Sequence, residues 1–407
     1  MLRRSGRTRA LTLVIGLVAA ATAGGVTGIA SGTVSADGPN DGTPWIVTVG
    51  DSAISGEAGR WAGNTNQSSS KVDAGGADAY FDNASRTAEQ IPGCHRSEAA
   101  EAHIFGGANS LNLACSGART YTQTGSNFKP GLDFFDGAPG KGQALMLQEF
   151  AATHNVKAVT VLIGANNFGF ADIVQRCVTN WLTSPSWWKN YCHDDSGIKS
   201  RFTNSAVTAR TNEVAGAILN VAAAMTNAGY TPGDYKIIVQ TYSSPIPRGA
   251  QIRYSESGWT RQSIGGCGVW NRDADWANNT AVVKMNQALT NGAAQTGLSN
   301  IVILDAVAAL DGRRLCESGV GLLEEKGVAT WQSAGAVDKT EWVSQIRTLT
   351  TIFGPYQLQE GIHPSYWGEL ALRNCLRLAY NGGAVRGGQC VRAANGLIGG
   401  EPIMQLI

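Results

Sequence analysis

Four short stretches carry residue types that can do chemistry together. Val47-Thr-Val-Gly-Asp-Ser52 ends an apolar run in Gly50-Asp51-Ser52. A serine at a strand-to-helix turn is exposed at a sheet edge. Its own N–H then lies at a helix N-terminus, where a developing oxyanion can be held. Cys115-Ser-Gly-Ala-Arg119 offers the N–H of Gly117 with no side chain over it. Gly164-Ala-Asn-Asn167 offers an amide donor, Asn166, after a strongly apolar run. Glu360-Gly-Ile-His-Pro364 sets a carboxylate three residues before His363. A hydroxyl, an imidazole, a carboxylate and three donors are the parts of nucleophilic acyl transfer. Taken singly they are weak signals. Ser52 could cap a helix, Gly117 and Asn166 could be turn residues, and His363 could be an ordinary loop histidine.

The elements that must position these residues alternate along the chain. Strand-like runs occupy Trp45–Val49, Ala158–Ile163, Tyr235–Tyr242 and Asn300–Leu304. They are short, β-branched and continuous, as strands buried on both faces are. Helix-like stretches cover Thr203–Ala228, Asn278–Thr296 and Tyr366–Tyr380. This alternation predicts an α/β fold, a three-layer α/β/α sandwich with a mostly parallel central sheet. Four segments read as insertions: 124–142, 179–195, 255–275 and 317–353. Three of them carry tryptophans, at 181, 187 and 188, at 259 and 270, and at 331 and 342. These rings either line an apolar or sugar pocket or cover the insertions' own small cores. The second reading is preferred, because Trp is mostly buried wherever it occurs.

The chain has 407 residues, 15% of them charged, with 11 Trp, 10 Tyr and 10 Phe, which excludes a disordered protein. A formal charge of +1 gives no basic excess for nucleic acid. Residues 1–36 hold Arg3, Arg4, Arg7 and Arg9, then an apolar stretch, then Val34-Ser-Ala36. That order reads as a secretory signal peptide cleaved after Ala36. Its four Arg removed, 28 bases face 31 acids, a net charge of −3. The expectation is a secreted, extracellular protein with no stable membrane insertion after cleavage. Residues 37–407 are then a single catalytic domain. Eight cysteines agree with export. They are Cys94, Cys115, Cys177, Cys192, Cys267, Cys316, Cys375 and Cys390. They allow 105 connectivities. The simplest pairs them in sequence order. Zinc is disfavoured, because no C-x-x-C pair occurs.

Together the four stretches resemble the four blocks of the SGNH/GDSL hydrolase family. Gly50-Asp-Ser52 matches the nucleophile block, Gly117 the glycine block, Asn166 the asparagine block and His363 the histidine block. They stand in family order and span 50–364, most of the chain. Cys94-His-Arg-Ser97 and Ala114-Cys-Ser-Gly-Ala118 also look like the secreted actinobacterial lipases and esterases. The resemblance implies a flavodoxin-like fold and a serine ester hydrolase without cofactor or metal. Ser52 would be the nucleophile, His363 the base and Glu360 the triad acid. The N–H groups of Ser52 and Gly117 and the Asn166 amide would form the oxyanion hole. Two positions depart from the pattern. Asn167 stands where the family usually has Asp. Glu360 stands where Asp is usual, and some relatives use a backbone carbonyl for that job. The substrate implied is a small-molecule or lipid ester, and the protein a monomer that does not bind nucleic acid. Glycan deacetylation is the alternative activity. An inactive glycan- or wall-binding protein is the alternative of another class.

Overall fold

The computed structural model describes residues 38–348 and 354–407. The leader read over 1–36 and the last residues of the 317–353 insertion lie outside them. Seven strands form one sheet: β1 Pro44–Gly50, β2 Asn109–Asn112, β3 Asn155–Leu162, β4 Lys236–Gln240, β5 Ile301–Asp305, β6 Gly388–Ile398 and β7 Glu401–Leu406. Their order is β2-β1-β3-β4-β5-β6-β7. All pairings are parallel except the last, where β6 and β7 form an antiparallel hairpin at the edge. Ile46, Val47, Val49, Val159, Val161 and Ile237 are fully buried. Both faces of these strands are therefore covered, which is why they read as unbroken apolar runs.

Six helices matter for the site: α1 Ser52–Ser55, α2 Gln143–Ala151, α3 Phe170–Thr183, α4 Asn204–Asn227, α5 Val282–Gln295 and α6 Tyr366–Tyr380. Helix α4 packs against both α2 and α5. Helix α6 packs on β7, and its Arg373 donates to the carbonyls of Glu98 and Ala100. The fold is thus α/β, a mostly parallel sheet with flanking helices. The stretch expected to be helical over 278–296 starts earlier. A short helix at 271–276 and a π-turn at 277–281 lead directly into α5. The π-turn carries Asn278, whose amide bonds the carbonyls of Ile246 and Ala274 and whose oxygen accepts from Ser244.

The chain leaves β1 toward β2 on one side and returns past it to β3 on the other. Neighbouring β1 and β3 therefore form a topological switch point. In open parallel sheets the crevice beyond the strand C-termini at such a point is where ligands sit. Ser52 follows β1 and Asn166 follows β3.

The eight cysteines pair in sequence order: 94–115, 177–192, 267–316 and 375–390. The tryptophans divide. Trp181, Trp270 and Trp342 are buried, as the preferred reading has it. Trp187, Trp188 and Trp259 are not, with 81%, 72% and 62% of their surface exposed.

Candidate active site

The turn that carries Ser52 is built by contacts a larger residue would forbid. Gly50 has φ +149°, and a Cβ there would lie 2.0 Å from the Leu162 carbonyl oxygen. Only glycine lets the end of β1 lie this close to the end of β3. The Gln143 side chain, fully buried, accepts from Gly50 N–H at 2.7 Å and donates to Gly50 carbonyl at 2.8 Å. Asp51 then caps α1 by accepting from Ala53 N–H at 3.1 Å. The cap is therefore Asp51, and Ser52 Oγ is left for other work. Burial pushes the Asp51 carboxyl up to about 7, against the hydrogen bonds it receives. One of these comes from the Tyr242 hydroxyl, which in turn accepts from Ala165 N–H at 3.0 Å. The turn that carries Ser52 and the loop that carries Asn166 are thus tied together beneath the crevice.

His363 reaches Ser52 across the chain, Nε2 to Oγ at 2.6 Å. Its Nδ1 lies 3.2 Å from the Gly361 carbonyl oxygen. A carbonyl can only accept, so Nδ1 carries the proton and Nε2 presents its lone pair to the serine hydroxyl. Burial lowers the His363 pKa below the ordinary imidazole value. The negative charge of Glu57 and the carbonyls of Gly361 and Gln359 pull the other way. The turn that delivers His363 passes through Ile362 at φ +67°. A β-branched residue is strained in that region. The Ser344 carbonyl holds it, accepting Ile362 N–H at 2.9 Å.

Glu360 does not orient His363, and the expectation that it is the triad acid is corrected here. Its carboxylate accepts from Trp61 Nε1 at 2.8 Å, from Tyr80 hydroxyl at 2.7 Å and from Gln357 N–H at 2.9 Å. The left-handed turn at Ile362 separates the directions of residues 360 and 363, so the spacing of three does not bring their side chains together. The Gly361 carbonyl takes the place next to Nδ1. Glu360→Gln should therefore leave the pH–rate profile unchanged. It should lower stability by about 1–3 kcal/mol, because an amide N–H would face a donor in a buried site. Thermal melting and a pH series on one variant check both halves.

Gly117 and Asn166 lie with Ser52 and His363 on one cavity of about 470 Å³. Gly117 is held by the adjacent 94–115 disulfide and by Gln123, whose side chain donates to its carbonyl at 3.0 Å. Asn166 spends one amide N–H on the Ala118 carbonyl at 2.9 Å, which fixes the direction of the other. Asn167 links Thr120 to Glu213. It donates to Thr120 Oγ1 and to Glu213 Oε2, each at 2.7 Å. An aspartate there would set carboxylate against carboxylate.

A second buried pair escaped sequence reading. Glu57, fully buried, faces His95 Nδ1 at 2.7 Å, and His95 stacks on Tyr80 at 4.4 Å. Burial alone would raise the Glu57 carboxyl. The hydrogen bond and charge of His95 outweigh it and hold the carboxyl below its ordinary value. The same partner raises the His95 pKa against its burial. Gln359 Nε2 lies 3.3 Å from His95 Nε2, so the pair abuts the loop that positions His363. The one signal in the sequence was an acid five residues after Ser52, in a stretch otherwise small and apolar. Among the described residues, no group of three or more His, Cys, Asp or Glu side chains is placed to hold a metal ion.

No protein-family model matches the chain, and no curated protein matches it. Solved structures do. An extracellular lipase from Streptomyces rimosus is 17% identical over 81% of this chain and 95% of its own, with a TM-score of 0.43. A phospholipase A1 from Streptomyces albidoflavus is 18% identical over 82% and 98%, with a TM-score of 0.42. A family two carbohydrate esterase from Clostridium thermocellum is 11% identical over 83% and 63%, with a TM-score of 0.33.

Proposed function

We propose that the protein is a secreted serine hydrolase of carboxylic esters, working through a Ser52–His363 dyad. The observation that carries this is the 2.6 Å contact of Ser52 Oγ with His363 Nε2 on a cavity shared with Gly117 and Asn166. Ser52 Oγ attacks the ester carbonyl carbon while His363 Nε2 takes its proton. The imidazolium that forms is held by its Nδ1–H on the Gly361 carbonyl. The carbonyl oxygen becomes an oxyanion facing the N–H groups of Ser52 and Gly117 and the second N–H of Asn166. Losing one such donor commonly costs ~2.7–4 kcal/mol of transition-state stabilisation. The C–O bond breaks, and the alcohol leaves with the proton from His363. Water then repeats the attack on the acyl-Ser52 ester and releases the acid. Four disulfides and the leader-like first 36 residues support export.

The cavity walls favour an apolar acyl group. Phe170, Val174, Val178, Ile346, Leu358 and Ile362 line it. Phe170 and Ile362 also border two smaller cavities of about 60 Å³ each, one beside Ser52 and the other beneath α3. Phe170→Ala should join these spaces and move the preferred acyl chain toward longer esters. Hydrolysis of p-nitrophenyl esters from acetyl to palmitoyl, wild type beside variant, checks it. An unchanged profile would place the acyl chain elsewhere. Wild-type activity confined to the acetyl ester would favour the glycan deacetylase reading. No Ser52-dependent activity on any ester would favour the inactive binder.

A further inference from the structure

We infer that Trp187, Trp188 and Trp259 form a contact surface that seats the mouth of the Ser52 cavity on a neutral lipid–water interface. The inference rests on reading that cavity as the ester site. Tryptophan is among the costliest side chains to leave in water, and this fold buries Trp61, Trp181, Trp270, Trp342 and Trp367 to 4% exposure or less. Trp45, Trp276 and Trp331 are half-buried, and the three that are exposed lie on two loops that touch each other. The 184–191 loop is held between the end of α3 and the 177–192 disulfide. Lys189 on it meets Glu256 of the 255–264 loop at 2.5 Å. Trp259 of that second loop stands edge-on to Trp181 at 5.8 Å, at the end of α3. Ile264 adds a fourth exposed apolar side chain.

Both loops run into the cavity wall. Phe170, Val174, Val178 and Thr179 of α3 line it on the way to the first loop. Gln262 of the second loop and Gly266 just after it hold another wall residue, Ile346, through Gln262 Nε2 at 2.7 Å and the Gly266 carbonyl at 2.8 Å. The loops that carry the exposed rings therefore adjoin the wall of the cavity.

The chemistry of the ridge selects the partner. The charges on the two loops are Lys189 and Glu256, half-buried and paired with each other, and Arg261, which is buried and donates to backbone carbonyls; beside them the exposed Arg272 lies over the Tyr191 ring at 4.7 Å. Among the described residues of the two loops and Arg272, this leaves one unpaired cation and not a cluster that would select anionic headgroups. A flat platform for stacking a saccharide chain has rings that share a plane, whereas Trp187 and Trp188 stand at 68° to one another. Indole rings with an apolar body and a polar N–H settle at the boundary of lipid and water, where no common plane is needed.

The test uses the Ser52→Ala protein, so that binding is read without hydrolysis, and phosphatidylcholine vesicles as the probe. Sedimentation with vesicles should capture this protein. Adding Trp187→Ser and Trp188→Ser should weaken partition roughly tenfold or more, as expected from withdrawing two large aromatic side chains from an apolar phase. Trp259→Ser alone should weaken it less. In the Ser52 background, the tryptophan changes should leave turnover of dissolved p-nitrophenyl butyrate unchanged. Equal partition with and without the tryptophans would overturn the inference, as would no vesicle binding at all. Tryptophan-dependent binding to insoluble polysaccharide instead, or a tryptophan-dependent dimer, would overturn it too. Ester turnover that survives Ser52→Ala would sink the site reading while leaving the vesicle result standing.

Discussion

Ser52→Ala should abolish ester turnover, with kcat falling roughly 10⁴-fold or more, and should leave the melting temperature nearly unchanged. The size of the loss follows from what the hydroxyl does. In the proposed mechanism it is the atom that bonds the acyl carbon, and neither Gly117 nor Asn166 could replace it. Some rate above water should persist, because the donors and the cavity remain. The stability half is equally specific. If Ser52 were only a helix cap, its removal would cost about 1 kcal/mol. Asp51 holds that cap, accepting from Ala53 N–H. The serine side chain's one hydrogen-bond partner among the described residues is His363. Steady-state kinetics on p-nitrophenyl butyrate and a thermal melt separate the two roles. A fully active variant would remove Ser52 from the chemistry.

His363→Ala should cost a comparable factor, because proton removal from the nucleophile and proton delivery to the leaving alcohol both pass through Nε2. The wild-type pH profile carries the same claim with a sign. Only neutral imidazole accepts the serine proton, so activity should rise with pH through the His363 pKa and level off above it. Burial lowers that pKa. The acid limb should therefore have its midpoint below the ordinary imidazole value of about 6.5. The limb should disappear in His363→Ala and persist in Glu360→Gln. A large fall in kcat together with a downward shift of the limb in Glu360→Gln would restore the carboxylate to the triad.

The contrast between these two residues shows what the sequence makes legible. The order of Ser52, Gly117, Asn166 and His363 could be read because each sits at the end of a local pattern, two of them after buried β-branched strands. Four strands and the helix over 366–380 were visible for the same reason. Glu360 misled because its spacing to His363 is local while its direction depends on the next turn. Nothing in Gly-Ile-His announces a left-handed isoleucine. The Glu57–His95 pair joins residues 38 positions apart and becomes visible only when the turn after β1 is folded against the 94–115 disulfide. Strand β2 was missed because Asn109-Ser-Leu-Asn112 is a short polar edge strand with no alternation to count. The β6–β7 hairpin was legible. Gly399-Gly400, both at positive φ, is a two-residue turn signal between Leu397-Ile398 and the largely apolar strand β7. The exposed tryptophans were not legible at all, since composition cannot say which rings an insertion buries.

The most direct test is to trap the nucleophile. The purified protein is incubated with a p-nitrophenyl alkylphosphonate, which phosphonylates an activated serine and releases p-nitrophenol, and the adduct is located by peptide mass spectrometry. The dyad predicts one adduct per chain, on the peptide carrying Ser52, formed quickly in wild type and in Glu360→Gln and very slowly in His363→Ala. An unlabelled Ser52, or label on another residue at full rate, would contradict it.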